Sequence, residues 1–89
     1  MNALRERALD VLSSLIAIDS QNPPRKSERV VAWLRERLVP AFDVRVTDLG
    51  DGSVSVLAVR GEPHVVYNVH VDTVPVVPGW TRDPFRAEV

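Results

Sequence analysis

The sequence predicts an α/β fold, with two helices at the amino end packed on a mixed β-sheet. Three observations carry this. Apolar residues recur at helical spacing through the first 38 positions, the spacing switches to period two after Pro40, and an apolar, β-branched run spans Val65 to His70. Helices covering a sheet are the natural way to bury such faces.

The first helix rests on Leu4, Ala8, Val11, Leu12, Leu15 and Ile16, with Arg5, Glu6 and Arg7 on the other side. Asn2 is suited to cap it. It should end near Ile18, because Ser20-Gln21-Asn22-Pro23-Pro24 cannot continue a helix. The second helix should start near Ser27, bury Val30, Val31, Leu34 and Leu38 with Trp33 beside them, and stop at Pro40. Phe42, Val44 and Val46 then alternate with Asp43, Arg45 and Thr47, as in a strand. Gly50-Asp51-Gly52 is a hairpin signal, and Ser53 to Val59 is the return strand. Gly61-Glu62-Pro63 makes a further turn. The run from Val65 to His70 reads as a central strand with both faces covered. Pro75 and Pro78-Gly79 mark loop, and Trp80 to Phe85 reads as a loop anchored by its aromatic ends. Phe85 to Val89 resembles the opening of another strand, so the sheet is expected to be incomplete and the chain truncated.

Composition narrows the function classes. Residues 1–89 are expected to form one unit. Hydrophobic residues make up 45% and charged residues 26%, an ordinary globular balance. With 11 basic and 12 acidic side chains interleaved, no basic field favours nucleic acid or an anionic membrane surface. There is no cysteine, so disulfides, thiolate metal sites and a cysteine nucleophile are excluded. No apolar run reaches the ~20 residues a membrane span needs, and the charged first turn is unlike a signal peptide. A cytoplasmic location is the default expectation.

The chemistry concentrates at His70 and Asp72, at the carboxyl end of the expected central strand, where ligands gather in open α/β sheets. A neutral imidazole is a good zinc ligand, and a carboxylate two residues on can orient it. In extended chain these residues project to the same side with Cα atoms ~6.6 Å apart. The residues themselves leave alternatives open: His70 can be a core histidine satisfied by backbone, and Asp72 the start of an Asx-type turn. His64 lies ~20 Å away along a strand and cannot share an ion with His70. It is given no role. One histidine and one carboxylate fall short of the three or four ligands that zinc takes from protein.

Asn68-Val69-His70-Val71-Asp72-Thr73-Val74-Pro75, followed by Gly79-Trp80-Thr81-Arg82-Asp83-Pro84-Phe85, resembles the first metal-ligand motif of a co-catalytic zinc hydrolase family. That family contains acetylornithine deacetylase, succinyl-diaminopimelate desuccinylase, aminoacylase and glutamate carboxypeptidase. Asp19 to Pro24 is similar to its amino-terminal signature. The closest branch in pattern is the acetylornithine and acetylcitrulline deacetylases. The resemblance implies the amino-terminal part of a zinc-peptidase-like catalytic domain. It implies His70 as ligand to one of two zinc ions, with cobalt as an alternative, and Asp72 as the catalytic acid that supports this histidine. It further implies an N-acyl amino acid as substrate, acetylornithine above all, and a place in arginine biosynthesis. The bridging aspartate, the general-base glutamate and the remaining ligands of the family have no counterpart in these residues, so the chain alone is expected to be inactive. The other expectation is a non-enzymatic interaction module that keeps the fold and self-associates through the open sheet edge.

Overall fold

A computed structural model describes residues 2–89. The α/β class holds: two helices precede a two-stranded antiparallel sheet. Helix α1 (Ala3–Ala17) is capped as expected, with the Asn2 side chain accepting from the Leu4 and Arg5 amides at 3.0 and 3.3 Å. It ends one residue before Ile18. Helix α2 (Glu28–Leu38) ends two residues before Pro40. Ser27 occupies its N-cap position but makes no capping bond; its hydroxyl reaches the Gly52 carbonyl instead, at 3.3 Å. That contact ties the start of α2 to the hairpin turn.

Strands β1 (Asp43–Asp48) and β2 (Val54–Val59) pair in one register from Asp43↔Val59 to Asp48↔Val54. The connecting turn is closed by Leu49 N–H donating to Ser53 O at 2.9 Å, and Gly50 and Gly52 both take φ of 87°, a left-handed backbone that glycine adopts without strain. The Asp-Gly signal thus places the hairpin correctly. Arg25 braces the turn from outside, through the Asp51 carboxylate at 2.7 Å and the Asp51 carbonyl at 2.9 Å.

Helix α2 packs on both strands. Its Val30 is the one buried apolar residue among those described, and α1 buries none. Accessible surface totals 7569 Å², against roughly 5,200 Å² for a folded monomer of this length. The Cα radius of gyration is 14.9 Å, where about 12 Å is usual.

The difference lies mainly beyond β2, and here three expectations are corrected. The run from Val65 to His70 is extended but has no ladder partner, and every one of its residues is exposed. Its β-branched pattern asks for neighbours on both edges and both faces, while β1 and β2 pair with each other and neither forms a ladder with it. The mixed sheet is therefore not assembled among the described residues. Phe85 to Val89 is not a strand either: Asp83 caps a local turn by accepting from the Phe85 amide at 2.9 Å and the Arg86 amide at 3.3 Å. Finally, Trp80 is 60% exposed and does not anchor its loop, although Phe85 is half-buried. No helix among the described residues is long and apolar enough to cross a membrane.

Candidate functional site: a histidine–aspartate pair held by the α1–α2 loop

The exposed carboxyl-terminal segment is fastened to the rest of the chain at one place. Residues 20–22, between the helices, run parallel to residues 72–74 and form a β-bridge at Gln21↔Thr73. Thr73 N–H donates to Ser20 O at 3.2 Å, and Asn22 N–H donates to Thr73 O at 2.8 Å. The Ser20 hydroxyl donates to Val71 O at 3.1 Å. Ser20 is the one buried polar residue among those described, at 4% exposure. The Val76 amide donates to the Gln21 side-chain carbonyl at 2.8 Å. Gln21 is held in turn by Asp19 at 2.9 Å, and Asp19 by Lys26 at 2.7 Å. The Lys26 ammonium first, and then the Gln21 amide, lower the Asp19 carboxyl to about 2.

This fastening sets the backbone beneath His70 and Asp72. His70 Nδ1 lies 2.9 Å from Asp72 Oδ1 and 3.2 Å from the Asp72 carbonyl. The approach expected from their spacing is made. His70 is not a core residue, since its side chain is 85% exposed, and Asp72 spends its carboxylate on side chains rather than on an Asx turn. The second carboxylate oxygen, Oδ2, accepts from Asn22 Nδ2 at 3.0 Å. The Asn22 amide first, and the His70 ring second, hold the Asp72 carboxyl below the usual carboxylate range.

An ionised carboxylate only accepts, so Nδ1 of a neutral His70 carries the ring proton and Nε2 keeps its lone pair. That is the donor a metal takes from a histidine backed by a carboxylate. The residues thus fit one ligand and its support. Among the described residues, no group of three or more His, Cys, Asp or Glu side chains is placed to hold a metal ion. His64 is exposed in the turn before the extended run and takes no part. His70, Asp72 and Asn22 line one side of a cleft of about 460 Å³ whose other walls include Val30 and Leu34 of α2 and Val56 of β2.

Sequence reasoning brought His70 and Asp72 together but missed Ser20, Gln21 and Asn22. Asn22-Pro23-Pro24 reads as a rigid connection, and nothing in its local pattern reveals a partner 50 residues away. Only the likeness of Asp19 to Pro24 to a family signature set that stretch apart.

Over the segment it covers, the chain is similar to a deacetylase and a desuccinylase. It is 45% identical over 87 residues to N-acetyl-L-citrulline deacetylase of Xanthomonas campestris pv. campestris, a match covering 94% of this chain and 24% of that protein. It is 36% identical over 88 residues to succinyl-diaminopimelate desuccinylase of Zymomonas mobilis subsp. mobilis, covering 91% of this chain and 23% of that protein. The resemblance read from the motifs is borne out by both. The chain spans about a quarter of the length of these curated relatives. No family model matches it.

Proposed function

We propose that this chain is the part of a zinc-dependent N-acyl-amino-acid deacetylase that supplies one metal ligand, His70, through Nε2. The observation that carries the reading is the 2.9 Å contact of Nδ1 with Asp72, which leaves Nε2 proton-free on an exposed ring. Zinc, held in part by His70, would supply Lewis-acid chemistry there, lowering the pKa of a water and polarising an amide carbonyl. Asp72 keeps the imidazole in its ligating tautomer and fixes the ring plane. The rest of the metal shell and the general base belong to residues outside this chain, and the 89 residues alone are inactive. The 45% identity to an N-acetyl-L-citrulline deacetylase supports an N-acetylated, citrulline-like amino acid as substrate; the motif resemblance adds acetylornithine, and the reading places the protein in the cytoplasm.

The test is hydrolysis of N-acetyl-L-ornithine and N-acetyl-L-citrulline by the protein expressed at its full coded length. Zinc-dependent turnover is expected, falling at least about 100-fold in His70→Ala. Turnover that survives both chelation and His70→Ala overturns the reading.

The exposed valines of the 65–70 run favour a second reading, an interaction module that self-associates through unpaired strand edges. A monodisperse oligomer of this chain, unaffected by metal and without hydrolytic activity, would establish it.

A further inference from the structure

An aspartate side chain on its own is a poor device for fixing a histidine. Its terminal torsion is broad and roughly two-fold, so the carboxylate plane turns freely unless something holds it. At 49% side-chain exposure, Asp72 gets little restraint from packing. What holds it is a second hydrogen bond: Asn22 Nδ2 on Oδ2 at 3.0 Å, opposite the bond from His70 on Oδ1. Because the carboxylate can only accept, the NH₂ end of the Asn22 amide must face it.

Asn22 is itself well fixed. Its backbone N–H is bound to Thr73 O at 2.8 Å. The following Pro23 restricts it to extended backbone. Ser20, two residues earlier, is buried and bonded to Val71 O. The donor thus stands on a platform hydrogen-bonded to residues on both sides of Asp72.

We propose that Asn22 is a positioning residue, whose side-chain amide clamps Asp72 Oδ2, aims Oδ1 at His70 Nδ1 and so keeps His70 Nε2 proton-free. The clamp rests on the reading of His70 as a metal ligand only for its purpose, not for its geometry. Removing the amide frees the carboxylate plane. The neutral ring then loses its single tautomer, and the lone pair at Nε2 is present only part of the time.

The experiment reads the ring directly. In metal-free protein of full coded length, ¹⁵N shifts of the neutral His70 ring at alkaline pH report the tautomer. The Nδ1–H form should dominate in the unmodified protein, with the Asn22 side-chain amide protected from solvent exchange. Asn22→Asp, similar in shape but without the donor, should give a mixed tautomer and about tenfold weaker zinc binding; Asn22→Ala should do the same. An unchanged tautomer in either folded variant overturns the clamp. So does a freely exchanging Asn22 amide in the unmodified protein, a measurement that needs no variant to fold. If the tautomer shifts but no zinc binds to His70, the clamp stands and the metal reading falls.

Discussion

The hairpin and the extended run from Val65 to His70 are both rich in valine, yet one is a sheet and the other is bare. β1 and β2 are neighbours in sequence, joined by a glycine turn, and each pairs its inner edge with the other's. The 65–70 run has the stronger apolar pattern, but Val66 and Val69 stand 82% and 81% exposed. Hydrophobic patterning states what a strand needs; a partner within reach decides whether it is met. The latch at residues 20–22 sharpens the contrast, because it orders Asp72 and Thr73 with hydrogen bonds alone and almost no apolar burial.

The largest test of this contrast is Val30→Asp. A charge placed at the one buried apolar position, 3% exposed, should cost about 3 kcal/mol or more and unfold α2 with the hairpin. Urea titration followed by amide exchange should show β1 and β2 losing protection while residues 65–70, already open, do not change. Equal loss in both regions would break the comparison.

Ser20→Ala should cost about 1 kcal/mol, by leaving the Val71 carbonyl without its donor. Its signature is faster exchange at the Thr73 and Asn22 amides with the hairpin unaffected. Asn2→Ala should cost at most about 1 kcal/mol and appear as fraying of the first turn of α1, seen in a weaker helical signal.

The smallest effect separates the two regions by pH. Asp19, on the latch side, and Asp51, in the hairpin turn, are both lowered to about 2, chiefly by Lys26 and by Arg25. A depressed carboxyl contributes stability above its unfolded value of 3.8 and loses it as pH falls toward 2. Lys26→Ala should flatten that acid loss at the 73 amide and leave the hairpin's unchanged; Arg25→Ala should do the reverse. Both pairs are solvent-accessible, so the shifts should shrink in high salt.

Local signals were legible in the sequence. Asn2, Pro40 and Gly50-Asp51-Gly52 mark where elements start, stop and turn, because each acts through its own backbone or its immediate neighbours. His70 and Asp72 were legible for the same reason: two residues apart in extended chain, they meet by geometry. The fate of 65–70 was not, since burial depends on partners that periodicity does not name. Asn22 was not either, because its contact with Asp72 is created by the bridge at Gln21↔Thr73, a long-range pairing with no local mark.

The proposed role of His70 turns on whether its Nε2 binds a metal. A zinc-bound crystal structure of the protein at full coded length measures this directly. The account predicts zinc about 2.0–2.1 Å from His70 Nε2, with Nδ1 still on Asp72. Zinc bound through Nδ1, or held entirely by other residues with His70 apart, would contradict it.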